Sequence, residues 1–156
     1  MSDYKLQTTT VWNFPNRGNW ATHKGDYRGN WSPHVPRNLI LKYTQEGDTV
    51  LDCFVGSGTT LIECKLLNRN AIGIYISNNA LLLTKDHLDF DSPYSPSITL
   101  LNGSACSMDT IPNNTIDFIC THPPYADIIK YSTNISGDLS HLPSPEFLPA
   151  LLNVAK

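Results

Sequence analysis

The stretch TVLDCFVGSGTTLIECKLL, residues 49–67, joins an apolar run to a helical pattern through Gly56, Ser57 and Gly58. Its first half is β-branched and apolar, which predicts a buried strand, and its second half predicts a helix. Glycines at such a junction let the backbone turn sharply and let a ligand approach without meeting a Cβ atom. The junction therefore predicts a ligand-binding loop, although a purely structural turn would use the same glycines.

The remaining patterns place this junction inside a sheet of about four strands. RNLILKYT predicts a helix before it, AIGIYI and SITLLNG predict two more strands, and NNALLLTKDHLDF predicts the helix between them. TIDFICTHPPY predicts a fourth strand that the double proline ends, and a short helical piece follows SHLPSPEF. Strands that alternate with helices indicate an α/β fold with a parallel sheet and right-handed crossovers.

The net charge, the cysteine spacing and the apolar runs bear on whether the chain binds DNA, binds a metal or enters a membrane. The formal net charge of -3 gives no excess of basic residues, but a local basic patch can still bind DNA. The four cysteines form no C-x-x-C pair, so we expect reduced thiols in a cytoplasmic protein and no metal site. No apolar run approaches the roughly 20 residues of a membrane span, and no signal peptide is evident.

A second motif, CTHPPYADI, follows the fourth predicted strand. Active sites of such sheets lie at the carboxyl ends of the strands. Two prolines fix the backbone here and leave the carbonyl of Pro123 without a helix or sheet partner. This carbonyl, the side chain of His122 and the ring of Tyr125 suit a planar ring that carries an amino group. A Pro-Pro turn with a packing tyrosine is the structural alternative.

Together the two motifs resemble those of the DNA amino-methyltransferases, the N4-cytosine and N6-adenine enzymes that use S-adenosylmethionine. DCFVGSGTT resembles their cofactor motif D-P-F-x-G-S-G-T-T, and THPPY resembles their catalytic tetrapeptide, Asp, Asn or Ser followed by Pro-Pro-Tyr. The resemblance runs from Trp12 to Leu139. It implies a Rossmann-like methyltransferase fold, with an aromatic N-terminal arm (residues 1–36) over a catalytic domain (residues 37–156) whose C-terminal part is missing.

The resemblance also implies roles for particular residues. The family flips its target base out of the duplex, so Tyr125 would stack on the base. The Pro123 carbonyl and His122 would accept hydrogen bonds from its amino group, in a corner that Pro124 stiffens. The cofactor would be lined by the motif and by two later strand ends: Asp52, Phe54, Gly56, Ser57, Gly58, Thr59, Thr60, Tyr75 and Ser104.

Four positions depart from the family pattern. Cys53 replaces proline, and His122 replaces Asp, Asn or Ser, although a neutral imidazole still accepts one hydrogen bond. Tyr75 stands where an acidic residue holds the ribose hydroxyls, and Ser104 stands where one meets the adenine amine. Since each lost charge-assisted hydrogen bond costs about 1.5–3 kcal/mol, we expect weakened cofactor binding.

The resemblance predicts a site-specific methyltransferase that acts on cytosine N4 in double-stranded DNA, of the restriction-modification kind. A catalytically degenerate module that binds DNA or a partner is the alternative, and methylation of another amine, on RNA or protein, is a third. An end at Lys156 would leave a central strand as an open edge, which predicts a homodimer or a complementing subunit.

Two expectations concern residues outside the motifs. His23, His34, His87 and His141 are expected at the surface or as caps. Arginines and lysines lie among the tryptophans of the arm, a pattern that suits either stacking on nucleic acid or packing on the core. These cations are Arg17, Lys24, Arg28 and Arg37.

Overall fold

The computed structural model describes residues 4–133 and 135–156. In these ranges four parallel strands form one sheet in the order β3-β2-β1-β4: β1 (Thr49–Asp52), β2 (Asn70–Tyr75), β3 (Ile98–Asn102) and β4 (Phe118–Ile119). The helices are α1 (His34–Tyr43), α2 (Thr59–Leu66), α3 (Asn78–His87) and α4 (Ser144–Val154). Two short 3₁₀ helices, Ala126–Ile128 and Leu139–His141, lie between β4 and α4. The predicted α/β fold with a parallel sheet is confirmed.

The fourth strand is much shorter than its sequence pattern predicts. Its two residues pair with Val50 and Leu51 of β1, and the amide of Cys120 donates one further bond to the Leu51 carbonyl, at 2.9 Å. Beyond that point Pro123 and Pro124 have no N–H to donate to a ladder. The pairing thus ends at Cys120, and the two prolines prevent the following segment from resuming it.

The main core lies where α1 and α2 cover the sheet. Ile40, Val50, Leu61 and Cys64 are fully buried there, and β2 adds Ala71. A smaller apolar cluster of Ala126, Leu139 and Phe147 holds the segment after β4 together. This second cluster keeps the 3₁₀ helices beside the carboxyl ends of the strands, where a ligand site of this fold is expected.

A buried carboxylate fastens the N-terminal arm to α2. Glu63 is fully buried, and its Oε1 accepts a hydrogen bond from the Trp20 indole N–H at 2.6 Å. His23 Nε2 lies 2.6 Å from the same oxygen, and Arg37 Nη1 donates to Oε2 at 2.7 Å. A buried charge requires such partners, because desolvation penalises an unpaired carboxylate. This arrangement supports the core-packing interpretation of Trp20.

The network also corrects two expectations. His23 and His87 are 6% and 7% exposed, so neither is the surface residue that the sequence suggested. Arg37 is 5% exposed and its guanidinium lies over the rings of Tyr4 and Trp20, so Arg37 holds the arm and does not face a nucleic acid. His141 is exposed, as expected.

Within residues 4–133 and 135–156, no helix is both long and apolar enough to cross a membrane. The same ranges contain no group of three or more His, Cys, Asp or Glu side chains that could hold a metal ion.

Replacing Glu63 with Gln should destabilise the protein by about 3 kcal/mol, since the buried Arg37 guanidinium would lose its anionic partner. Urea denaturation of both proteins measures the difference. The matched control is Glu46→Gln, because Glu46 is exposed and bonds to Asn68 at the surface. The control should stay within about 0.5 kcal/mol of the wild type. A loss below about 1 kcal/mol for Glu63→Gln would mean that the arm is held by other contacts.

Candidate active site

One cleft lies at the carboxyl edge of the sheet. The space between its walls measures about 690 Å³, including its open mouth. It lies between the loop after β1, the end of β2 and the diproline corner after β4, with arm residues on a further side. The predicted site residues on its wall are Asp52, Phe54, Gly56, Ser57, Thr59, Tyr75, Ser104, His122 and Pro124.

Four other predicted residues are not part of this wall. Gly58 faces α3, since a Cβ atom on it would come within 2.7 Å of Thr84 Cγ2. Thr60 is fully buried in α2. Pro123 and Tyr125 belong to the diproline corner, and Tyr125 is 43% exposed. The predicted ligand contacts of these four residues stay predictions.

The glycine loop adopts a conformation that requires glycine. Gly56 and Gly58 have φ values of +52° and +89°, in the left-handed region where a Cβ atom is strained. The Gly58 amide donates to the Val55 carbonyl at 2.8 Å, which closes the turn before α2 begins at Thr59. A Cβ atom on Gly56 would also lie 3.3 Å from the Tyr27 ring. The loop is therefore a tight turn at the start of a helix, with no Cβ atom at Gly56 or Gly58.

Helix α3 holds this loop from behind. Thr84 Oγ1 donates to the Gly56 carbonyl at 2.8 Å, and His87 Nδ1 lies 2.9 Å from the Ser57 carbonyl. Both side chains are buried. Sequence reasoning missed this pair, although the i, i+3 spacing of Thr84 and His87 puts them on one helix face. The two contacts fix the carbonyls of the loop on the side away from the cleft.

Asp52 connects the glycine loop with the diproline corner. Its Oδ1 accepts hydrogen bonds from the Thr121 hydroxyl at 2.7 Å and from the Phe54 amide at 3.1 Å. Burial raises the pKa of Asp52, while these hydrogen bonds act in the opposite direction. Thr121 immediately precedes His122. The buried carboxyl thus ties the end of β1 to the end of β4.

His122 is held between two aromatic rings. Its imidazole stacks on the Trp31 indole, with centroids 5.1 Å apart and planes 2° from parallel. Its Nε2 lies 2.6 Å from the Tyr125 hydroxyl, and the two rings meet edge to face. Burial lowers the pKa of His122 from its ordinary value of 6.5, so the ring is neutral at pH 7. Trp31, which also lines the cleft, is a site residue that sequence reasoning did not assign.

Tyr75 stands at the end of β2, where the family pattern has an acidic residue, and the arm brings Tyr27 beside it. Tyr75 is 8% exposed, and its hydroxyl accepts a hydrogen bond from the Tyr27 hydroxyl at 3.1 Å. Burial raises the pKa of both groups, so both are neutral. Asp138, to which the sequence assigned no role, also lines the cleft.

Some cations of the arm are bonded within the arm, and others are exposed to solvent. Arg17 donates to the carbonyls of Asn30 and Trp31, at 3.2 and 2.8 Å, and thereby shapes the arm. Lys24 and Arg28 are exposed. Of the four cations considered, these two remain accessible for contacts with a nucleic acid.

The cleft fits S-adenosylmethionine. A Cβ atom on Gly56 would narrow the cleft beside Tyr27, the walls carry the Phe54 and Trp31 rings, and Asp52 provides a carboxyl group that suits an ammonium. Ligand pockets commonly combine an apolar wall with a few polar groups in this way. The cleft departs from the family's cofactor site at the end of β2, where Tyr75 stands in place of the family's acidic residue.

The sheet order and the glycine turn after β1 define a Rossmann-like methyltransferase fold. TrmN from Thermus thermophilus shares this fold, with a TM-score of 0.53 and 22% identity over 64% of this chain and 30% of that one. PH1948 from Pyrococcus horikoshii gives a TM-score of 0.51 and 18% identity over 74% of this chain and 55% of that one. The predicted fold class is confirmed.

The family follows from the sequence match. The model of the N6/N4 methyltransferases, described as DNA methylase, matches residues 2–86, and the chain belongs to this family. The resemblance drawn from the two motifs is thereby confirmed. S-adenosylmethionine, the predicted methyl donor, is confirmed as the cofactor at the level of the family.

Curated relatives include three Type II methyltransferases. M.HpaI from Haemophilus parainfluenzae is 51% identical over 33% of this chain, and M.BglI from Bacillus subtilis is 41% identical over 45%. M2.MboI from Moraxella bovis is 38% identical over 51%. The aligned segments cover 16%, 21% and 29% of these relatives' own lengths. The chain thus matches less than a third of each relative.

Replacing Trp31 with Ala should raise the pKa of His122, because water would reach the face of the imidazole and ease its protonation. NMR titration of the His122 ring protons in both proteins measures the shift, and the wild-type value should lie below 6.5. Trp12→Ala is the matched control, since that indole packs near Phe14. An unchanged titration in Trp31→Ala would contradict the stack.

Proposed function

We propose that the chain carries the catalytic centre of a DNA methyltransferase that moves a methyl group from S-adenosylmethionine to an exocyclic amine, cytosine N4 in double-stranded DNA. One observation carries the proposal: the glycine loop after β1 and the diproline corner after β4 open onto the same cleft. A methyl donor and an amine must meet within about 3–3.5 Å for transfer. Two loops on one cleft can bring them to that separation.

At the donor end, the glycine loop would hold the cofactor. Backbone N–H groups at the start of α2 point out of the helix and favour negative charge, and Asp52 would bind the ammonium group. When bound, S-adenosylmethionine supplies a methyl group made electrophilic by its sulfonium. The chain's own task is to orient that group toward the diproline corner and to exclude water from it.

At the acceptor end, His122 and Tyr125 would receive the base. The Tyr125 ring is 43% exposed and presents a face for stacking. In the tautomer with its proton on Nδ1, the neutral His122 has an acceptor at Nε2, and the Tyr125 hydroxyl contacts that nitrogen in the structure. A base amino group would take this acceptor site and would also donate to the Pro123 carbonyl. Both contacts leave the nitrogen lone pair directed at the methyl group.

The choice of cytosine N4 rests on the tetrapeptide, which lacks the acidic first residue typical of most adenine enzymes. Hydrolysis of labelled DNA and separation of the methylated bases test this choice. The proposal includes a cytoplasmic location and a role in restriction-modification, in line with the Type II relatives. It also includes a second chain at the edge of β4, where Ile119 is 58% exposed.

A second function is favoured by one observation, the tyrosine pair at the end of β2. If Tyr75 prevents donor binding, the chain is a catalytically degenerate module that binds DNA or a partner subunit. Calorimetry with S-adenosylmethionine distinguishes the two functions: heat of binding supports the enzyme, and its absence at millimolar donor supports the module. Tritium transfer from the labelled donor to RNA or protein, in place of DNA, tests a different amine acceptor.

Replacing Tyr125 with Ala should reduce methyl transfer to DNA by roughly 10- to 100-fold, because a base stacked on an aromatic ring gains about 1–3 kcal/mol. Tyr125→Phe keeps the ring and loses the contact with His122, so it should retain most of that transfer. Tritium transfer from the labelled donor to mixed-sequence DNA measures both. Equal rates in the wild type and the Ala variant would rule out stacking on Tyr125.

Acidic pH should also reduce the rate of transfer. Protonated His122 has no free acceptor for the base amine, and burial keeps its pKa below 6.5. The rate should therefore be constant above that value and fall as the pH drops through the pKa of His122. A rate that rises on acidification would contradict the role of His122 as an acceptor.

A further inference from the structure

A loop that is distant in sequence lies against the end of β2 and places an acidic residue on the wall of the cleft. Gly137 lies against Ile76, since a Cβ atom on Gly137 would be 3.6 Å from Ile76 Cδ1. Ile76 directly follows Tyr75, the last residue of β2. Asp138, next to Gly137, lines the same cleft as Tyr27 and Tyr75. The chain thus carries an acid at this edge, from a loop about sixty residues further on.

The carboxylate of Asp138 is held in place and retains acceptor capacity. It is 9% exposed, its Oδ1 accepts from the Ser140 amide at 2.9 Å, and its Oδ2 accepts from the Ser132 hydroxyl at 2.5 Å. A carboxylate has about four acceptor positions, so each oxygen can accept another hydrogen bond. The negative charge of Asp138 also contributes to the raised pKa of Tyr27 and Tyr75, in keeping with its position near the two phenols.

We propose that Asp138 binds the ribose hydroxyls of the methyl donor, beside the Tyr27–Tyr75 hydroxyl pair, and so replaces the acid that β2 lacks. The inference rests on the proposed function, since it takes the ligand to be a nucleoside with two neighbouring hydroxyls. Such a diol offers two donors to one carboxylate. The hydroxyl groups of Tyr27 and Tyr75 add a hydrogen-bond donor and an acceptor on the same wall of the cleft.

Asp138 also caps the 3₁₀ helix Leu139–His141, because its side chain accepts the Ser140 N–H. The capping role accounts for the contact between Asp138 Oδ1 and the Ser140 amide. It does not explain why Asp138 lies on the wall of the cleft. The two roles can be separated by substitution. Asp138→Asn keeps the shape and removes the charge, whereas Asp138→Ser keeps a capping oxygen and shortens the reach into the cleft.

The experiment compares two stable ligands by calorimetry, S-adenosylhomocysteine and its 2′,3′-dideoxyribose analogue. The wild type should prefer the ribose form by about tenfold or more, the size of one charge-assisted hydrogen bond. In Asp138→Asn and Asp138→Ser the preference should fall to about twofold, with the affinity for the dideoxy analogue unchanged. Asp127→Asn is the matched control, because Asp127 is exposed, and it should keep the wild-type preference.

The other outcomes overturn the inference in distinguishable ways. A wild-type preference that persists in Asp138→Asn would overturn the role of Asp138 and leave the proposed function standing. So would an equal loss of affinity for both ligands, since the diol would then not be the group recognised. A wild type that binds neither ligand would overturn the proposed cofactor site and this inference with it.

Discussion

The pairing of β1 with β4 is the constraint on which the site depends. Because these strands are parallel neighbours, their carboxyl ends lie side by side, and the loops that follow them emerge at one edge. The hydrogen bond from Thr121 to Asp52, at 2.7 Å, fixes this proximity one residue before His122. Without that register the glycine loop and the diproline corner would be separate turns with no common ligand.

The N-terminal arm is the second support of the site. Glu63 lies on α2, the helix that follows the glycine loop, and its buried contacts with Trp20, His23 and Arg37 hold the arm against that helix. From this anchor the arm brings Tyr27 and Trp31 to the cleft. Removal of the arm would therefore expose the imidazole of His122 and open one wall of the cleft.

Much of the fold could be predicted from the sequence, because local patterns determine it. Alternating apolar runs and helical patterns predicted a parallel sheet, and the glycines of the loop predicted a sharp turn. The length of β4 could not be predicted, since its pairing ends where the backbone diverges from β1. The burial of His23 and His87 was also missed, because their partners, Glu63 and the Ser57 carbonyl, are distant in sequence.

As with the fold, part of the candidate site could be predicted from the sequence: the residues that belong to the two motifs. Motif residues such as Gly56 and His122 line the cleft that the structure shows, whereas Trp31 and Asp138 come from segments without a regular pattern. Their positions depend on tertiary contacts: the stack of Trp31 on His122 and the packing of Gly137 on Ile76. No periodicity or local motif encodes such contacts.

The most direct test of a shared cleft is an NMR titration of the protein with S-adenosylhomocysteine. If the two loops share one cleft, the amide signals of Gly56 and Gly58 should shift together with those of His122 and Tyr125, along one saturation curve. The amide of Gly47, in an exposed turn before β1, should not shift. Shifts confined to the glycine loop, or two groups of signals that saturate at different concentrations, would contradict the shared cleft.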